Sequence, residues 1–453
     1  MSTLFGDRAA SAPLRGGDEL AGVFRAGEKP PARFGVGIEY ERLPLDPLTG
    51  RAVPYASPHG PSVERFLQIL VDRGGWVPRR EEGRIIALER EGTRVTLEPG
   101  AQVELSGRVH AGLLAARDEV AAFVRESDDA AAAAGFRLAG IGLQPFSEPD
   151  AIGWVPKRRY GIMAPYLATR GHLAHAMMKA TAGCQINLDY SSEQDAMEKL
   201  RVALAITSIV TALCARSPLT AGQRNGFLTK RSLIWMHTDP DRCGLPWFAL
   251  SEGAGYADAV AHALDVPMLF VVREDRWMDM TGRTFRQYLA GRNEGLSPVM
   301  ADWELHLTTL FPEVRLKAYL EVRGSDSGPP DMVAAQAALW KGILYDASAR
   351  RAAWEMAGRA PARERASFHR EVARSGLRAK LGGHSALDLS RELIAQAARA
   401  LPADEAALLE PLRRVADEGI SPAETLLRQW NGAWDRRPPR LVRGLAGGES
   451  GER

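Results

Sequence analysis

Four short stretches of the chain alternate apolar and polar residues with a period of two, the pattern of strands with one buried and one wet face. In FGVGIEYERL (34–43), Val36, Ile38 and Tyr40 fall on one side and Gly35, Gly37, Glu39 and Glu41 on the other. LEPGAQVELSG (97–107) places Glu98 before a Pro-Gly turn and then sets Val103 and Leu105 against Gln102, Glu104 and Ser106. CQINLDYS (184–191) sets Ile186, Leu188 and Tyr190 against Gln185, Asn187 and Asp189. RLKAYLEVRG (315–324), read as one strand, sets Leu316, Ala318, Leu320 and Val322 against Arg315, Lys317, Tyr319, Glu321 and Arg323. Elsewhere the period lengthens: residues 111–134, 195–215 and most of the chain from Pro330 onward predict helices. The Arg- and Ala-rich run 347–374 predicts solvated helices whose charges need no ligand.

Alternation in one strand is what any antiparallel sheet with a wet face produces. The set carries more, because Glu is disfavoured in strands, and here two of them stand two positions apart. At a separation of about 7 Å and an effective dielectric near 20, that repulsion is roughly 2 kcal/mol. A divalent cation reverses its sign. Carboxylates and amides, without a thiolate or histidine set, favour Mg²⁺ or Mn²⁺ over zinc. His172 and His175, three apart, are left out of the ligand set. Arg315, Lys317 and Arg323 beside the acids are what a polyphosphate needs. Neither a Walker loop nor a dinucleotide-binding Gly-x-Gly-x-x-Gly in strand-to-helix context is present. The wet faces therefore predict metal-nucleotide chemistry on a sheet.

Composition narrows the class. With 58 Lys+Arg against 56 Asp+Glu over 453 residues, no global field argues for nucleic acid or a membrane surface. The longest apolar stretch, 202–215, is interrupted by Thr207, Ser208 and Thr211 and is too short to span a bilayer, so it predicts a buried helix. Cys184, Cys214 and Cys243 form no Cys-x-x-Cys pair, and residues 1–20 show no export signal, so a cytoplasmic enzyme is expected. The expected organisation is an N-terminal extension (1–33), a single catalytic domain with a helical C-terminal part (34–435), and a disordered tail (436–453).

Seven motifs, in order, resemble those of plant-type glutamate-cysteine ligases, a group that includes many bacterial enzymes. They are Glu39-Tyr-Glu41, LEPGAQVELSG, PKRRYGIM (156–163), QINLDYSS (185–192), NGFLTKRSLIW (225–235), DVPM (265–268) and FPEVRLKAYLEVRG (311–324). The resemblance covers about residues 34–434 and implies an α+β fold of glutamine synthetase-like type, with a curved, mainly antiparallel β-sheet bowl and helices packed outside. It implies small-molecule substrates: ATP as co-substrate phosphorylates the side-chain carboxylate of L-glutamate, and the amine of L-cysteine displaces phosphate. The product is γ-glutamylcysteine, the first step toward glutathione or a related thiol.

By matching motif, the resemblance makes Glu39, Glu41, Glu98, Glu104 and Glu321 ligands of Mg²⁺ ions. It places Gln185 and Asn187 at the nucleotide, Arg159 and Arg231 at the glutamate carboxylate, and Arg323 on the transferring phosphoryl group. Leu269 stands where plant-type members commonly have Tyr, near the amine substrate. Residues 268–300 contain no cysteine, so little redox switching through a disulfide there is expected. A ligase using another amine, and a phosphotransferase related to guanidino kinases, stay open as alternatives. No general base and no oligomeric state is singled out.

Overall fold

The computed structural model describes residues 13–14, 16–291 and 295–446, and gathers all four alternating stretches into one nine-stranded sheet. Its strands are β1 (Val36–Leu45), β2 (Val77–Glu81), β3 (Arg84–Arg90), β4 (Thr93–Leu97), β5 (Val103–Ser106), β6 (Arg137–Ala139), β7 (Gly183–Leu188), β8 (Val314–Leu316) and β9 (Leu320–Asp326). The order is β8-β9-β7-β1-β5-β4-β3-β2, with β6 against the far half of β1, and every pairing is antiparallel. This is the expected α+β architecture, a mainly antiparallel sheet with helices outside.

Strand β1 lies at the centre because its apolar side is continuous. Val36, Ile38 and Tyr40 are buried against helical side chains, and Arg42 follows them to the same side. A buried guanidinium needs acceptors, and here the two terminal nitrogens have them while Nε has none. Arg42 finds Leu138 O at 2.7 Å, Ser127 Oγ at 3.2 Å and the Asp128 carboxylate at 2.6 Å.

Residues 315–324 are two strands of a hairpin, not one. Lys317 N donates to Tyr319 O at 2.8 Å, and the turn pairs Arg315 with Glu321 and Leu316 with Leu320. Paired residues share a face, so Arg315 and Glu321 still end up together.

Helix Glu193–Leu213 is buried along nearly its whole length. Its polar interruptions are satisfied inside, Thr211 Oγ1 by Thr207 O and Ser208 Oγ by His369 Nδ1, both at 2.9 Å. Among the described residues no helix is long and apolar enough to cross a membrane. The helices expected over 347–374 form as Ala347–Ala357 and Ala362–Ser375, but they are not simply solvated. Arg365 is buried and donates to Ala205 O at 2.9 Å and Ala357 O at 2.8 Å.

Both ends of the chain differ from expectation where they are described. Within the N-terminal segment, Leu20 and Phe24 belong to the main core, and Leu20 O accepts from Trp303 Nε1 at 3.0 Å. The tail expectation is corrected over Pro438–Leu445, a helix that buries Leu441, Val442 and Leu445 against Leu43, Leu45 and Trp430. Residues 1–12 and 447–453 of the two expected end segments lie outside the described residues.

Candidate active site

The wet side of β1, β5 and β7 forms the floor of a cleft that borders ≈ 890 Å³ of empty space, open solvent included. Glu39, Glu41, Glu98, Glu104, Arg159, Gln185 and Arg323 line it together. Seven of the ten residues singled out in the sequence therefore share one wall.

Register explains the concentration of acid. Glu41 lies directly opposite Glu104 across the β1/β5 pair, and Glu39 lies opposite Gln185 across β1/β7. Like charges facing one another across strands destabilise a sheet. Burial together with repulsion from Glu98 pushes the Glu41 carboxyl up to about 7. Burial, Glu39 and Glu98 push that of Glu104 up to about 8. Hydrogen bonds hold both groups in place. Glu41 accepts from Gly183 N at 2.5 Å and Gln185 Nε2 at 3.2 Å. Glu104 accepts from Thr96 Oγ1 at 2.7 Å and Ser106 Oγ at 3.1 Å.

Glu98 reaches the cleft from the turn between β4 and β5, and Gln102 shapes that turn. Its Oε1 accepts from Gly100 N at 2.8 Å, while its Nε2 donates to Met178 O at 3.1 Å and Thr181 O at 2.9 Å. The sequence placed Gln102 on the right face, but only the structure shows it as the tie between turn and helix Ala174–Ala180. Gly100 is required by close approach: a Cβ there would stand 2.1 Å from Lys179 O. Gly100→Ala is therefore expected to cost about 1–3 kcal/mol of stability. It should also displace Glu98, lowering activity about tenfold. A thermal melt and a rate assay at saturating substrates check this, and unchanged values in both would refute the role of the turn.

Three expected residues lie behind the wall instead of on it. Glu321 is fully buried and takes Arg315 Nη2 at 2.7 Å, Lys317 Nζ at 2.6 Å and a contact from Arg323 Nη1. Burial alone would raise its carboxyl, but these three cations hold it well below the usual carboxylate range. Asn187 donates from Nδ2 to Glu39 Oε1 at 2.8 Å, and its Oδ1 is buried without a partner. Arg231 is buried, its two terminal nitrogens donating to Gly324 O at 3.2 Å and Arg323 O at 3.1 Å. Its guanidinium leans on the ring of Trp235, which does line the cleft. Arg323 bridges the layers, donating to both Glu321 and Gln185 Oε1.

Met163, Met177, Met178, Phe270 and Leu305 also line the cleft, an apolar group that the alternation argument did not reach. Leu269 is buried beside this group, clustered with Phe270 and Leu305, and it is the neighbouring Phe270 that lines the cleft. His175 Nε2 contacts Ala164 O at 3.0 Å and the His172 ring packs on His237. As placed, and among the described residues, no three His, Cys, Asp or Glu side chains converge closely enough to hold a metal ion.

Comparison with known proteins places the chain in a family. The sequence model of glutamate-cysteine ligase family 2 matches residues 35–443. The chain is 37% identical over 423 residues to the chloroplastic glutamate-cysteine ligase of Arabidopsis thaliana, covering 92% of this chain and 80% of that one. It is 36% identical over 433 residues to the chloroplastic enzyme of Medicago truncatula, covering 94% and 84%. A crystal structure of a glutamate-cysteine ligase from Francisella tularensis in complex with AMP superposes with a TM-score of 0.59 at 13% identity, over 92% of this chain and 88% of that one, a likeness of fold. The chloroplastic names of the curated relatives overturn the expectation of a cytoplasmic enzyme, which rested on the lack of an export signal and on sparse cysteines. With a family match spanning the sheet, the cleft and the C-terminal helices, the chain belongs to glutamate-cysteine ligase family 2 and is a ligase.

Proposed function

We propose that the protein joins the γ-carboxylate of L-glutamate to the amine of L-cysteine, using ATP to form a γ-glutamyl phosphate that the amine then attacks. The observation that supports it is one cleft lined by Glu39, Glu41, Glu98 and Glu104, by Arg159 and Arg323, and by a methionine-rich apolar group. A carboxylate is a poor acyl donor until phosphate becomes its leaving group, and phosphoryl transfer is accelerated chiefly by positioning and by fixed charge.

In chemistry, though not in the present spacing of its carboxylates, the donor set suits a hard divalent cation. It is all oxygen, two of its carboxyls are raised by burial and mutual repulsion, and Asn187 Oδ1 is a buried acceptor without a partner. Glu39, Glu41, Glu98 and Glu104 would hold Mg²⁺, which supplies neutralisation of the triphosphate charge. Glu321 in this placement holds Arg315, Lys317 and Arg323 in register. Arg323 faces the cleft with a full charge that Glu321 and Gln185 orient, which suits it to the transferring phosphoryl group. Arg159 serves the glutamate end from the cleft wall, and Arg231 from behind Trp235.

The experiment is phosphate release with ATP, Mg²⁺ and L-glutamate, with and without L-cysteine, and mass measurement of the product. Cysteine-dependent release with a γ-glutamylcysteine mass is expected. Glutamate-dependent release without that product points to another amine, and a stable phosphorylated product points to a phosphotransferase. Arg231→Ala is expected to raise the KM for glutamate about tenfold or more, the worth of a charged hydrogen bond, with the KM for ATP within about twofold. A change confined to ATP would overturn that assignment.

A further inference from the structure

Asp326 closes β9 and is 1% exposed, yet no step of the proposed reaction uses it. Its carboxylate accepts from Arg216 N and Ser217 Oγ on Oδ2, both at 2.7 Å, and from Thr229 Oγ1 on Oδ1 at 2.9 Å. Burial raises the carboxyl, and the charge of Arg231 together with these three donors opposes the rise. Each hydroxyl in turn accepts from the first turn of helix Lys230–Met236, Ser217 Oγ from Arg231 N at 3.1 Å and Thr229 Oγ1 from Ser232 N at 3.3 Å. A hydroxyl has one hydrogen to give, and a carboxylate only accepts. Both hydroxyls therefore spend their hydrogen on Asp326 and turn lone pairs toward the helix.

The same strand holds the other end of Arg231, whose terminal nitrogens donate to the carbonyls of Arg323 and Gly324. Its guanidinium packs on Gly183, where a Cβ would stand 2.5 Å from Nη2, and Gly183 is the residue paired with Asp326 across β7 and β9. Gly183 N is also the donor that holds Glu41. Gly142 packs on the carboxylate, and a Cβ there would stand 2.4 Å from Asp326 Cγ. One residue of β9 thus meets the helix bearing Arg231 through its side chain and the strand end holding Glu41 through its backbone.

We infer that Asp326 is a positioning residue, which through Ser217 and Thr229 sets where Arg231 stands relative to the acids of the cleft. The inference rests on the proposed function and adds to it a residue that touches neither substrate nor metal. An amide in place of the carboxylate gives one of the two hydroxyls a donor to face, so that link loses its direction while the side chain keeps its size.

Steady-state kinetics of the full-length protein test this, read as phosphate release against L-glutamate and against ATP at saturating L-cysteine. Asp326→Asn should raise the KM for L-glutamate about tenfold and leave that for ATP within about twofold. In an Arg231→Ala background the same substitution should change the glutamate KM by less than about twofold, because its effect passes through Arg231. Thr229→Ala should raise the glutamate KM as well, and Thr229→Ser, which keeps the hydroxyl, should restore most of the loss; this pair serves if Asp326→Asn does not fold. Full additivity of Asp326→Asn with Arg231→Ala, a joint rise in the KM for both substrates, or equal losses in Thr229→Ala and Thr229→Ser overturns the inference and leaves the ligase reading standing. No glutamate-dependent phosphate release by the wild-type protein overturns both.

Discussion

Glu41→Gln should lower Mg²⁺-dependent turnover by about a hundredfold and, in metal-free buffer at pH 8, raise the melting temperature by about 2 °C. The two effects have opposite signs because one carboxylate causes both. Burial and Glu98 raise the folded-state pKa of Glu41 to about 7, and that of Glu104 reaches about 8. A carboxyl with a raised folded pKa contributes stability that is fully present below the ordinary carboxylate range. That contribution is lost as pH rises through the folded value. The wild-type protein therefore loses stability between about pH 5 and pH 8, and the amide does not. The amide keeps an oxygen for Gly183 N, so the strand stays in register. Rates against Mg²⁺ concentration and melts at pH 5 and pH 8 measure both arms. Full activity at low Mg²⁺, or a lower melting temperature at pH 8, would remove Glu41 from the metal site.

Arg323→Ala should cut kcat by about a thousandfold, the scale on which a preorganised charge aimed at a transferring group acts. The fold should survive, because Glu321 keeps Arg315 and Lys317 as partners and so remains charged and paired. The KM for L-glutamate should move less than about threefold, since Arg159 and Arg231 remain. Steady-state kinetics separate these outcomes. A loss confined to glutamate KM would make Arg323 a substrate anchor instead, and a collapsed melt would make it a structural cation.

The period-two alternation was enough to place Glu39, Glu41, Glu104 and Gln185 on one face, because a strand's geometry leaves each side chain only two directions. It did not separate the cleft from what lies behind it. Glu321 alternates correctly yet is buried under three cations, and Arg231 approaches from a helix that no sheet pattern places. The hairpin at 317–319 was read through as strand, since a turn without Gly or Pro leaves the period intact. The helix Pro438–Leu445 was missed for the opposite reason. Proline at its start reads as a breaker in composition, although at the first helical turn it is favourable.

Gln102 has one further consequence. Through a single side-chain amide it fastens the turn bearing Glu98 to the carbonyls of Met178 and Thr181, and Met178 lines the same cleft as the acids. The acidic turn and the helix Ala174–Ala180 are thus not independent parts: a change that moves the backbone at Met178 is transmitted to the turn. The methionines of that helix and the carboxylate of Glu98 are in this way mechanically geared to one another, so that the apolar and the acidic lining of the cleft shift together.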